Sequence, residues 1–488
     1  MTPTTQAGTA RILPVAVLGE LAIAACVVLW LGIAALHPPA WGLMDDHNHL
    51  FRECPAIAHE GFFSFYLGFL RHDLVNREFV RIIYPLQVIL QYCHQQPWLA
   101  ALFSLLVTLS GTWLFFFWCA RLLEPRLLRT SSPTARFVAA LGTLSCLAFL
   151  WFQDFLLQWS LQEKFVLLAL APVCWILFSA RVQSMRPVPF TLVSAALIGF
   201  GLAIKGQFAI ALPLVIGWQL VLTRRSAPAS RSWRVVVLCM LGAVGGLALK
   251  ISAARSPYAS RYTVMQGVQN LLQWPALLVV IPMLAVAIHA IVLWRQRQDR
   301  PAAIVQGSLA LCLAAYLVVL GPVGWRYYVL AFAAPWLALP WVLWVCAGSR
   351  RVQLAVLGVT AALALVVTGH RTSRVLTGKN DIHRIAASPV LAELARSSEA
   401  LHVPCEEGSV AMRRYIDEAQ GAAAPTVLGP GAQGEGAPTA TVWFFDDKNC
   451  PLSALQREWA GRPLEVLVAP SFPGGFTVQR LGPPRDPP

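Results

Sequence analysis

Residues 12–36 read ILPVAVLGELAIAACVVLWLGIAAL, an apolar run broken by a single acid, Glu20. That run decides the fold class. About 20 apolar residues carry a helix through the hydrocarbon of a bilayer, and a helix satisfies its own amides where water is absent. The whole chain agrees: 57% of its 488 residues are hydrophobic and 13% charged, with a mean hydropathy of +0.59, outside the range of soluble globular chains. The run is too long for the core of a secretory leader, and Ala34-Ala35-Leu36-His37-Pro38 makes a poor cleavage site, so the segment is expected to be retained.

Ten further segments follow, at 98–120, 137–152, 165–180, 189–204, 207–223, 235–252, 275–294, 303–320, 328–347 and 352–370. The pair flanking Lys205 reads either as two spans or as one broken helix or re-entrant hairpin. The expected architecture is an all-α polytopic membrane protein of about 11 transmembrane helices over residues 1–370, followed by a small extracytoplasmic α/β domain over 371–488. In the tail, 388–401 and 409–420 have helical patterns, 439–445, 464–469 and 476–481 read as strands, and 421–438, rich in Gly, Ala and Pro, reads as a flexible loop.

Orientation comes from the arginines, because cytoplasmic loops hold an excess of Lys and Arg. Arg121, Arg126, Arg129 and Arg136 share one loop. Arg181 with Arg186, then Arg224, Arg225, Arg231 and Arg234, then Arg295, Arg297 and Arg300, and finally Arg350 with Arg351 occupy alternate later ones. These put the N-terminus inside and the tail outside a bacterial plasma (inner) membrane, in the periplasm or its equivalent. The net charge of +14 is then mostly topological, and no nucleic-acid partner is expected.

Acids are distributed differently. Only eleven precede the tail, and eight of them, Asp45, Asp46, Glu53, Glu60, Asp73, Glu78, Asp154 and Glu163, fall in the first two outer loops. The first of these loops, 37–97, is too apolar to be disordered. Its run Phe62, Phe63, Phe65, Tyr66, Leu67, Phe69 and Leu70, and the helically spaced Phe79, Ile82, Ile83, Leu86, Ile89 and Leu90, predict amphipathic helices in the headgroup layer.

A cytoplasmic N-terminus, a long first outer loop with interfacial helices and an early acidic pair, Asp45-Asp46-His47, together resemble the GT-C superfamily of polytopic glycosyltransferases, whose acidic pair takes the forms DxD, ExD, DDx or DEx. The likeness covers the architecture of 12–370 and only a handful of residues. It implies an inverting transfer of sugar from a polyprenyl-phosphate donor to an extracytoplasmic glycan, lipid or protein acceptor. By resemblance Asp45 is the general base, with Asp46 orienting the acceptor or sharing that role, and His47 beside them at the substrate. Asp154, and with it Glu163, is implied in the second outer loop. The alternative for Asp45-Asp46 is a solvated acidic turn.

The leaving phosphate needs fixed positive charge. Arg326 in GPVGWRYY (321–328), with Tyr327 beside it, is the first candidate, and Lys205, Arg255 and Arg261 are the others. Arg326 and its tyrosines also suit an ordinary interfacial anchor. No cofactor is assigned by the sequence. Asp45, Asp46, His47, His49, His59 and His94 raise a divalent cation, Mg²⁺ or Mn²⁺, as an alternative, although their spacing matches no closed site.

Seven of the eleven cysteines fall in predicted helices as small apolar residues. The remaining four are outside, Cys54 and Cys93 in the first loop and Cys405 and Cys450 in the tail, and their even numbers predict two disulfides. Competing readings are an O-antigen ligase or polymerase, a transporter, which would want more charge within its helices, and an acyltransferase, for which His289 and His370 lack a partner motif.

Overall fold

The computed structural model describes residues 6–42, 49–75, 88–90, 92–94, 96–122, 132–149, 152, ten helical positions between 284 and 310, 328–346, 348–403, 406–429, 439–443, 464–469, 471 and 476–481. Its elements in chain order begin with α1 (Gln6–Leu36), a single π-helical turn (His49–Glu53), α2 (Cys54–Glu60), α3 (Phe62–Val75), α4 (Pro97–Leu122) and α5 (Ser132–Leu147). Then come α6 (Tyr328–Cys346), α7 (Arg350–Ala386), α8 (Pro389–Arg396), β1 (Ala400–His402), α9 (Glu406–Gln420), β2 (Val427–Leu428), β3 (Thr439–Trp443), β4 (Leu464–Val468) and β5 (Thr477–Leu481). The described chain is mainly α-helical, and three helices are long and apolar enough to cross a membrane: Pro14–Leu36, Pro97–Phe117 and one within Arg350–Arg396. The expected spans 165–180, 189–204, 207–223 and 235–252 lie outside the described residues.

The chain divides into two compact units. The first comprises residues 1–30, 60–87 and 102–369, and α5 is its most deeply buried described helix: Phe137 through Leu141 are wholly enclosed. Apolar and small residues over most of its circumference suit such an interior. It starts earlier and ends earlier than the sequence suggests, at Ser132 and Leu147, because Ser132-Pro133 supplies a helix start. Small residues admit its neighbours. A Cβ added to Gly19 of α1 would stand 2.7 Å from Ala140 Cβ, and one added to Gly142 would run into the Phe116 ring of α4. One turn from the Gly19 contact, Arg136 clasps Glu20 through two hydrogen bonds, Nε to Oε1 at 2.8 Å and Nη2 to Oε2. Close approach through small residues and polar links between helices are the means by which helices associate where the hydrophobic effect is absent. Cys26, Cys146 and Cys346 are buried as free thiols.

The second unit comprises 31–59, 88–101 and 370–488. It contains parts of the first loop as well as the tail. α7 feeds it. At about 1.5 Å per residue this helix is ~55 Å long, nearly twice the hydrocarbon thickness. The sequence ends the span at 370, where His370, Arg371 and Arg374 begin a polar stretch. The helix itself continues to Ala386, because charge ends the apolar run without breaking the backbone, and the stop comes only with Ser388-Pro389. Ser388 then caps α8, accepting from Val390 N at 3.4 Å, with Pro389 in the first turn.

The tail folds as a five-stranded mixed sheet in the order β2-β1-β3-β5-β4. β1 lies parallel to both β2 and β3, while β5 is antiparallel to β3 and β4. Two sequence expectations are corrected. The helix predicted to 401 stops at Arg396, where Ser398 turns left-handed (φ 60), and Leu401 is a buried strand residue. The expected flexible loop 421–438 contains β2, whose Val427 pairs with Leu401.

The core is built from Ile382 and Ile385 of α7, Leu391 and Leu394 of α8, Met412, Tyr415 and Ile416 of α9, and Val427, Val468 and Val478 of the sheet. Trp41 and Phe51, from the first loop, pack against the same core. Arg480 and Asp381, at its edge, are paired. Arg480 holds Glu399 with two 2.9 Å bonds and reaches Glu465, its cross-strand partner in the β4–β5 register. Asp381, nearly inaccessible, accepts from Arg384 at 3.0 Å and from both the amide and hydroxyl of Ser471.

If Gly19 and Gly142 are contact points between helices, Gly142→Val and Gly19→Val will each lower resistance to unfolding in detergent by about 1–3 kcal/mol. Gly358, against which nothing lies within 4 Å, will tolerate Ala. Thermal unfolding of the purified variants checks the contrast.

Candidate functional site

α1 ends at Leu36, His37 closing its last turn onto Ile33, and Pro38-Pro39 prevents the helix from continuing. The chain then reaches Trp41 and Gly42. Both carbonyls are claimed by the tail: His383 Nε2 donates to Trp41 O at 3.0 Å, and Tyr415 Oη donates to Gly42 O at 2.8 Å. His383 stands on the polar extension of α7 and Tyr415 on the buried face of α9. Their rings lie 4.7 Å apart, so the two donors form one patch.

His49, seven positions after Gly42, has a buried ring. Its Nδ1–H donates to Glu53 at 2.7 Å, one turn on, and the ring rests 4.4 Å from Tyr92. Tyr92 also meets Trp41, at 5.2 Å. Phe51 and Tyr415 meet edge to face with ring centroids 5.7 Å apart, and the Arg414 guanidinium lies over the Phe51 ring at 5.6 Å. The two flanks of 43–48 therefore close on shared partners, Tyr92 holding Trp41 and His49, and Tyr415 holding Gly42 and Phe51. A disulfide between Cys54 and Cys93 joins the segment after His49 to the turn that carries Tyr92.

Asp45, Asp46 and His47 lie between these flanks and outside the described residues. So do Asp154, Glu163, Lys205, Arg255, Arg261, Arg326 and Tyr327, and the tail cysteines Cys405 and Cys450. Of the histidines in the metal reading, His49 is committed to Glu53. Among the described residues no three His, Cys, Asp or Glu side chains gather in a metal-binding group.

The described geometry fixes the residues on either side of 43–48. Two backbone carbonyls are fixed by side-chain donors on one side, and a buried imidazole and a disulfide fix the other. Sequence reasoning missed His383, Tyr415 and Tyr92. Tyr415 was legible as an apolar-face residue of an amphipathic helix, but no local signal links it to a carbonyl 373 positions away.

Compared with known protein families and with curated protein sequences, the chain matches none.

Burial holds the His383 imidazole below its ordinary value of 6.5, with Lys379 adding to the effect, while the Trp41 carbonyl and the charge of Glu418 push the other way. Between the depressed folded value and 6.5 the unfolded chain binds more protons, so this contribution to stability is complete above about pH 6.5 and is lost as pH falls through the folded value. Acidification from pH 7.5 to 5 will lower the unfolding temperature of the wild type more than that of His383→Gln, which keeps a donor and does not titrate. Equal slopes for the two proteins would contradict this.

Proposed function

We propose that the chain is a multi-pass membrane glycosyltransferase of the C-fold kind. It transfers a sugar from a polyprenyl-phosphate donor to a glycan, lipid or protein acceptor on the outer side of a bacterial plasma membrane. The observation that carries this reading is the closure of both flanks of Asp45-Asp46 on Tyr92 and Tyr415.

Two further facts support it. The Cys54–Cys93 disulfide suits an oxidising compartment, in agreement with an arginine pattern that puts the first loop and the tail outside and the N-terminus inside across eleven spans. α3 exposes Phe63 and Leu67 in the manner of a helix lying in the headgroup layer, which suits a lipid substrate.

In this reaction the acceptor hydroxyl gives its proton to Asp45 while its oxygen attacks the anomeric carbon. The bond from that carbon to the lipid phosphate breaks with inversion, and the electron pair leaves on the phosphate. Asp46 and His47 orient the acceptor, and Asp154 and Glu163 complete the acidic face. Arg326, beside Tyr327, and Lys205, Arg255 and Arg261 offset the charge of the phosphate. A divalent cation, Mg²⁺ or Mn²⁺, is the alternative counter-charge.

With purified protein and radiolabelled polyprenyl-phosphate sugars, Asp45→Asn will lower transfer by about 10²–10⁴-fold and Asp46→Asn by less, with donor binding retained. Full transfer by both variants would remove the proposed base. Solute flux into vesicles without any binding of sugar-phosphate lipid would favour a transporter.

A further inference from the structure

We propose that α3 is a membrane-surface anchor selective for acidic phospholipids, its exposed half giving Phe63 and Leu67 to the lipid chains and Arg71 to a headgroup phosphate. The inference stands on this one helix of the first unit and holds whether or not the chain transfers sugar.

The sequence FFSFYLGFLRHDLV (62–75) wraps into two unlike halves. At about 100° per residue, Phe62, Phe65, Tyr66, Phe69 and Leu70 fall on one side, and all of them are half-buried. Their rings support one another along the helix, Phe62 with Tyr66 at 5.6 Å and Phe65 with Phe69 at 6.2 Å. The opposite side carries Phe63, Ser64, Leu67, Gly68, Arg71 and His72, all exposed. A helix covered by protein on one side and facing water on the other turns polar residues outward. Here the outward side opens with Phe63, 78% exposed, and Leu67, 64% exposed. A Cβ added to Gly68 would meet nothing within 4 Å, so no other part of the fold closes over the stripe at that level.

Three observations identify the occupant. Three helices of the chain are long and apolar enough to cross a membrane, which makes a bilayer the apolar phase at hand. The stripe then ends in a cation, Arg71 standing one turn beyond Leu67 and about 12 Å along the axis from Phe63. Apolar first and basic next is the order met across a lipid monolayer from chains to phosphates, and an arginine stem runs along apolar surface while its guanidinium stays at the headgroups. Finally, the ion pairs among the described residues are made elsewhere and leave Arg71 without a carboxylate, so its charge is complementary to an anion from outside. A stable protein partner needs a broader apolar face than Phe63 and Leu67 supply. One cation at an acidic membrane surface is worth about 5-fold in lipid preference, and salt screens it.

The test uses full-length protein in nanodiscs of equal parts phosphatidylcholine and phosphatidylglycerol, with Phe63 or Leu67 replaced by the photoreactive p-benzoylphenylalanine. Irradiation joins the probe to its neighbour, and mass spectrometry of the peptide spanning 62–75 identifies the adduct. Arg71→Gln and Arg71→Lys are prepared on each background; both leave the half-buried side of the helix intact.

The expected result is phospholipid adducts at both positions, with phosphatidylglycerol exceeding phosphatidylcholine by about 2- to 5-fold at low salt and the two approaching parity at high salt. Arg71→Gln will bring the two lipids to parity at low salt, and Arg71→Lys, which keeps the charge, will retain the preference. Adducts joining two copies of the chain, or no lipid adduct at either position, would overturn the anchor. Parity of the two lipids with Arg71 intact, or a preference that survives Arg71→Gln, would overturn the selectivity for acidic headgroups.

Discussion

Tyr415 joins two requirements that proteins usually meet with different residues. Its ring belongs to the hydrophobic core of the second unit, in contact with Phe51 and His383, and its hydroxyl reaches out of that core to Gly42 O. Burying the ring supplies the stability, and the hydroxyl uses that stability to fix a stretch of backbone that forms no regular structure of its own. The rest of the second unit can be understood from this point. α9 must present Tyr415 at a set depth, which the sheet and α8 ensure by enclosing Met412 and Ile416 beside it. α7 must bring His383 alongside, which it does by remaining helical well past its apolar stretch and by being tied at Asp381 and Arg384 to Ser471 and Ala469.

The two units are held together internally by different physics. In the first, where the neighbours of a helix include lipid, apolar surface discriminates poorly between protein and solvent. Specificity there comes from close approach at Gly19 and Gly142 and from the Glu20–Arg136 pair. The second is assembled as a water-soluble α/β fold is, with a continuous aliphatic core, capped helices and edge charges matched in register, as Glu465 is with Arg480. A disulfide then adds a constraint of the kind favoured in small domains outside the reducing cytosol.

The sequence was informative where one strong signal dominated. Hydropathy located α1, α4, α6 and the first half of α7 to within a few residues, because lipid imposes a length and a polarity that few other constraints can override. Alternation and β-branched residues located β3, β4 and β5. Parity of the outer cysteines suggested that Cys54 and Cys93 pair, and they are bonded. Weak local signals overridden by tertiary context were not legible. β2 is two residues in a Gly-rich stretch and exists only because Leu401 and His402 offer it a partner. α7 runs on as a helix because nothing before Ser388-Pro389 stops it. Composition separates the tail from the first loop at residue 370, yet Trp41 and Phe51 belong to the tail's core, since an aromatic residue in a loop reads alike whether it faces lipid or a folded partner. The acidic pair is a reading of the sequence alone, while the contacts that hold Trp41, Gly42, His49 and Phe51 on either side of it were visible only in three dimensions.

The most direct measurement of this account is a double-mutant cycle between Phe51 and Tyr415, using Phe51→Leu, Tyr415→Leu and the double variant in full-length protein unfolded in detergent. If the first loop is part of the tail's core, the pair will show a coupling of about 0.5–1.5 kcal/mol, the double variant losing less than the sum of the singles. Strict additivity would contradict the claim that the tail holds the flanks of the acidic segment.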